Sequence, residues 1–171
     1  YNRKPETEFK NTYEVINISK PKPSFHSLEL VEKTVLGSYQ NNFIEFLKTL
    51  FLPDEVEKVL QKYLIGTWSS WKGTTVFWQI DQLEKVHHGK VMMYEPITGK
   101  RAKNREGKGI FSTVRSLLKL DGFVLNQCLF GLHLIDENTK AVALVEAEKT
   151  AVIMSVFKPE YVWLATGSKG G

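Results

Sequence analysis

Ala141 to Val145 is an apolar run without polar alternation, and such a run suits a strand buried on both faces of a sheet rather than one with a wet side. Thr150 to Phe157 follows with six apolar residues in eight, a helical density too high for a solvated surface, and Lys158-Pro159 ends it because the residue before a proline is driven out of the helical region. Tyr161 to Ala165 is a second short run of strand formers. Strand, helix, strand in this order predicts a parallel crossover unit, and it limits the fold to an α/β or α+β arrangement. In such units, polar residues at the carboxyl tips of the strands face the crevice where ligands bind. Glu146 stands at the first tip, and Gly167, Ser168 and Lys169 follow the second, a glycine-containing loop whose backbone N–H groups could approach a phosphate.

Upstream, 1–38 is polar and weakly periodic, with Pro5, Pro21 and Pro23, and reads as a leader or linker that ends in a short helix over 25–35. Phe43, Phe46, Leu47, Leu50 and Phe51, then Val56, Val59, Leu60 and Tyr63, repeat the helical spacing on either side of Pro53. Residues 39–66 therefore predict a helical hairpin, with Gly66 as the C-cap of its second helix. Within 67–135, Thr74 to Asp81 and Val91 to Tyr94 predict an antiparallel pair of strands, leaving His87 and His88 in the connection as exposed loop residues without further ligands at metal spacing. Trp78 is expected in the core of its strand, whereas Trp68 and Trp71 are candidates for base stacking. Phe111 to Leu120 predicts a short amphipathic helix, and Phe123 to Phe130 and Leu132 to Ile135 predict sheet-adjacent segments. Cys128 among Leu125, Leu129 and Phe130 reads as a buried thiol rather than the partner of His133.

The formal net charge is +4, and the segment from Lys100 to Lys108 holds five basic residues (Lys100, Arg101, Lys103, Arg105 and Lys108) against Glu106, so it carries the whole excess. A local excess of this kind is the footprint expected for a phosphate backbone, although a solvated loop would look the same. One cysteine in 171 residues excludes an internal disulfide and a zinc ribbon within the chain. There is neither a secretory signal pattern nor an apolar run long enough for a membrane span, so a cytoplasmic location away from the membrane is expected. A start at Tyr1 and a stop at Gly171 suggest a piece of a longer protein.

Val145 to Ala151, reading Val-Glu-Ala-Glu-Lys-Thr-Ala, together with Ala165-Thr166-Gly167, resembles the first half of a toprim domain, the nucleotidyl-transfer and hydrolysis core of bacterial primases, topoisomerases and related nucleases. Trp71 to Asp81, Gly99 to Arg101 and Gln127 to Gly131 extend the resemblance to primase-like toprim proteins of bacterial chromosomes and mobile elements, over roughly 39–171. The resemblance implies that 136–171 begins a toprim-like domain and that Glu146 is its catalytic glutamate, a general acid/base or outer Mg²⁺ ligand. It also implies that Lys100, Arg101, Lys103, Arg105, Lys108 and Lys149 face single-stranded or primer-template DNA. Ala147 stands where that family usually has glycine, and the Asp-x-Asp pair that anchors Mg²⁺ is missing from the chain. Metal-dependent turnover is therefore expected only of a longer protein that supplies the pair, with a DNA-binding module without catalysis, or an interaction domain for helicase, replication or mobilisation proteins, as the other readings.

Overall fold

A computed structural model describes residues 21–37 and 40–167, so most of the predicted leader, and Ser168 and Lys169 of the predicted phosphate loop, lie outside the described residues. The described chain is α+β. Three helices, α1 (Leu28–Val35), α2 (Asn42–Lys48) and α3 (Pro53–Lys62), precede a three-stranded antiparallel sheet of β1 (Thr74–Ile80), β2 (Val86–Met93) and β3 (Phe111–Thr113), in that spatial order. After a one-turn helix, α4 (Val114–Leu117), and a 3₁₀ turn at Leu132–Leu134, the chain forms β4 (Val142–Val145), α5 (Glu148–Phe157) and β5 (Val162–Ala165). β4 and β5 pair in parallel, Val142 with Val162 through Val145 with Ala165, as strand, helix, strand predicts.

Doubly buried apolar sequence belongs to β1 rather than to β4. Every residue of β1 is buried. One core packs Phe77 and Met92 of the sheet against Phe43, Leu47, Val56, Val59, Ala151 and Val152 of α2, α3 and α5. A second packs Val76, Trp78 and Val91 against Val31 of α1 and Val114 of α4. β4 instead leaves Val142 and Leu144 48% and 58% exposed. Its apolar run is continuous, yet among the described residues β4 has one strand neighbour and helical cover on one side, so the double burial expected of Ala141 to Val145 is corrected to single-sided.

The antiparallel hairpin is longer than predicted. β2 starts at Val86, with a bulge opposite Ile80, so His87 and His88 lie in the strand and are buried instead of occupying an exposed loop. The turn is only 81–85, closed by Asp81 Oδ1, which accepts from the backbone N–H groups of Leu83 and Lys85. His87 is tied at both ring nitrogens, to the Asn126 carbonyl at 2.6 Å and to Asp81 Oδ2 at 2.9 Å. Phe111 to Leu120 is likewise split, its first three residues pairing with β2 before the helical turn begins. Phe123 to Phe130 crosses the molecule without regular structure and joins the parallel pair only through a bridge from Phe130 to Ala165.

Gly66 is not the C-cap of α3. Leu64 takes the left-handed turn at φ 51°, and Gly66 pairs with Val76, where a Cβ would collide with Thr34 and come 3.2 Å from Trp78 Nε1. The glycine serves close packing rather than chain reversal. Asn41 joins these parts. Its Oδ1 caps α2 by accepting from Phe43 and Ile44 N–H and also accepts from Thr75 Oγ1, while its Nδ2 donates to the Gly66 carbonyl and Thr67 Oγ1.

Two outcomes follow from these contacts. Gly99, at φ 61° with its α-carbon against the Phe46 ring, should not tolerate a methyl group; Gly99→Ala should cost about 2–4 kcal/mol by denaturant titration, from left-handed backbone strain plus overpacking. His88 is pushed down to about 4, first by burial and then by the charges of His26, Arg115 and Lys90. The folded protein keeps this ring neutral while the unfolded chain protonates it near 6.5, so stability should fall as the pH drops from about 6.5 to about 4. His88→Gln should flatten that part of the stability–pH curve.

Candidate functional site

The carboxyl ends of β4 and β5 meet the antiparallel sheet at a buried ion pair. Lys90 lies on β2 opposite Phe77, on the sheet face covered by α5, because side chains alternate along a strand. Its Nζ donates to both carboxylate oxygens of Glu148, at 2.9 and 3.0 Å, and to the carbonyl of Gly167 at 2.6 Å. All three ammonium protons are used. The Glu148 side chain is 3% exposed and opens the first turn of α5, where a carboxylate is also favoured by the helix dipole. Gly167, at φ 85°, closes the group, since a Cβ there would come 3.0 Å from Glu148 Oε1 and 3.7 Å from Gln79 Nε2. Gln79 is buried beside this group, and its Oε1 has no hydrogen-bond partner among the described residues.

The two glutamates of the Val-Glu-Ala-Glu stretch thus divide in role. Glu146, the predicted catalytic residue, is exposed at the tip of β4; its carbonyl accepts from Gly167 N–H, and among the described residues its carboxylate has no ion-pair partner. Glu148, two residues on, is the carboxylate built into the structure. No local pattern in the sequence singles it out, because its partner Lys90 stands 58 residues away.

Lys149 is not a free cation of the surface. Its Nζ donates to the Gly99 carbonyl at 2.6 Å and lies 5.6 and 5.9 Å from the ring centres of Tyr94 and Phe46. Burial first, and then the Arg101 charge, pull its ammonium below the ordinary lysine range. This lysine ties α5 to the root of the extension between β2 and β3. That extension begins with the turn Glu95 to Lys100, bridges Tyr94 with Arg101, and ends in a second reversal in which Lys103 bridges Gly109 around a turn held by Asn104. Lys100, Arg101, Lys103, Arg105 and Lys108 are all exposed along it. The one ion pair among them joins Lys108 to Glu106 at 3.0 Å, with both side chains more than two-thirds exposed, so it contributes little. Trp78 is fully buried as expected, and Trp68 and Trp71 are half-buried against the second core. Burial pushes the Cys128 thiol up to about 11, with the Asp81 charge adding to it, so its sulfur is held as an inert thiol. An apolar hollow of about 450 Å³ lined by Ile44, Phe51, Val56 and Leu60 contains none of the predicted site residues.

Among the described residues no group of three or more His, Cys, Asp or Glu side chains could hold a metal ion, and no helix is long and apolar enough to cross a membrane.

Removing Lys90 should leave a buried, unpaired carboxylate. Lys90→Met should lower stability by about 3–5 kcal/mol, and pairing it with Glu148→Leu should restore much of the loss. Glu146→Gln should stay within about 0.5 kcal/mol of the parent in the same denaturant titration.

Comparison with curated proteins and with solved structures gives no match. Residues 41–171, from the Asn41 cap onward, match the model of one protein family, described as a domain of unknown function, DUF6371. The match takes in the core between the sheet and α2, α3 and α5, the Lys90–Glu148 pair and the basic extension, and the chain is a member of the DUF6371 family.

Proposed function

We propose that this chain is a nucleic-acid-binding part of a primase-like toprim protein and that the extension from Tyr94 to Ile110 is its contact surface. The observation that carries the reading is the exposure of all five cations of the extension, four of them without an ion-pair partner among the described residues, on a hairpin anchored at its root by Lys149. Cations so placed suit a phosphate backbone, because they can exchange their counterions for phosphates without first breaking internal pairs. The parallel β4–α5–β5 unit with Glu146 at its carboxyl tip supports the toprim part of the proposal.

A catalytic role for the described residues alone is not supported by their donor set. Mg²⁺ requires several oxygen ligands in near-octahedral array, and here one carboxylate is exposed while its neighbour is neutralised by Lys90. Glu146 would serve phosphoryl chemistry only if further carboxylates joined it in a longer protein.

Binding to a dT20 oligonucleotide, followed by fluorescence anisotropy across a salt series, tests the proposal. Affinity should fall steeply with salt. Replacing Lys100, Arg101 and Lys103 together by alanine should make the slope of log affinity against log salt shallower by about 2, at about 0.7 per lost phosphate contact on a single strand. A slope equal to that of the parent would remove the extension from the interface.

A further inference from the structure

Tyr94 is 5% exposed, and its ring is fixed by the core, 5.4 Å from Phe43 and 6.2 Å from Phe77 between centroids. Its hydroxyl has no hydrogen-bond partner among the described residues. Yet it is not sealed off, because it does not number among the fully buried polar atoms that lack partners. A buried tyrosine normally finds a partner for its O–H. The charges around it show what kind of partner the position favours. The Lys149 ammonium lies 5.6 Å from the centre of the Tyr94 ring, and Arg101, which bridges to Tyr94 through the backbone, acts through its charge on both the phenol and Lys149. The acid in reach is Glu148, already neutralised by Lys90. Two cations therefore stand near the ring that carries one unused hydroxyl, the neighbouring Glu148 carboxylate is held by Lys90, and the first turn of α5 also directs its positive end there.

We propose that Arg101, Lys149 and the Tyr94 hydroxyl form a phosphate-binding site at the root of the basic extension. Lys149 gives one proton to the Gly99 carbonyl and keeps two for the ligand, Arg101 supplies a planar fork suited to two phosphate oxygens, and Tyr94 donates its O–H to a third. The inference rests on the nucleic-acid reading for its source of phosphate, but the chemistry is that of any phosphate group, from a DNA backbone or from a free di- or triphosphate. This site would fix one phosphate in place, while the cations farther along the extension act by charge alone.

Tyr94→Phe is the decisive variant because it removes one oxygen and keeps the ring that supports Lys149 and the core. It should weaken dT20 binding about tenfold, the size expected for a hydrogen bond to a charged group, while leaving the salt slope unchanged because no cation is lost. Arg101→Ala should weaken binding and lower the slope by about 0.7. Unchanged dT20 affinity in Tyr94→Phe, with a loss in the Lys100/Lys103 double alanine variant, would overturn the site and leave the basic surface standing. If the parent fails to bind dT20 the nucleic-acid reading falls, and inorganic pyrophosphate then decides. A thermal shift with pyrophosphate in the parent, lost in both Tyr94→Phe and Arg101→Ala, upholds a site for free phosphates. No shift in the parent overturns it.

Discussion

The contact on which the arrangement depends is the Lys90 ammonium held between the Glu148 carboxylate and the Gly167 carbonyl. It joins the middle of β2, the start of α5 and the end of β5, and so fixes the parallel unit against the face of the antiparallel sheet. Apolar contacts from Ala151 and Val152 to the sheet core supply attraction there but little direction. A buried charge pair contributes small net stability and large selectivity, because any register that separates its members leaves a charge in a poorly solvating interior. Lys149, next in the chain to Glu148, extends the same logic to the root of the basic extension by fastening Gly99. Successive residues of one helical turn thereby hold the sheet and the basic extension in fixed relation to each other.

Much of this architecture was legible in the sequence because it rests on local signals. The helical stripes on either side of Pro53, the strand character of Thr74 to Ile80 and the strand, helix, strand order after Ala141 each depend on periodicity or on proline, and the structure contains all of them. What was misread depended on partners distant in the chain. An apolar run such as Ala141 to Val145 looks the same whether one face or two are covered, and only the count of neighbouring elements separates the cases. Val86 to Lys90 carries two histidines, a glycine and a lysine, poor strand formers, and is drawn into β2 by pairing with Trp78, Gln79 and Ile80. Gly66 looked like a helix stop because glycine after a stripe usually is one, whereas here Leu64 accepts the strained backbone so that Thr34 and Trp78 can close on the glycine.

The site was legible in a similar, partial way. Sequence charge located the basic extension, and the structure shows its cations exposed. Position at a strand tip selected Glu146, and the structure does place it there in solvent. Neither signal could pick out Glu148 or Tyr94. The first matters through a lysine 58 residues away, and the second through two cations that no spacing rule joins to it.

The hydrogen bonds of Asn41 imply an order of assembly. They reach Gly66, Thr67 and Thr75, 25, 26 and 34 residues along the chain, whereas those of Lys90 reach 58 and 77 residues to Glu148 and Gly167. Going from 25 to 77 residues is between one and two doublings of loop length, so closing the longer loops gives up about 1 kcal/mol more chain entropy. The amide can gather α2, the Gly66 bridge and β1 early, while Lys90 and Glu148 stay separately hydrated. Loop closure thus favours docking of the parallel unit after that gathering, and docking is the step that commits both charges to the interior.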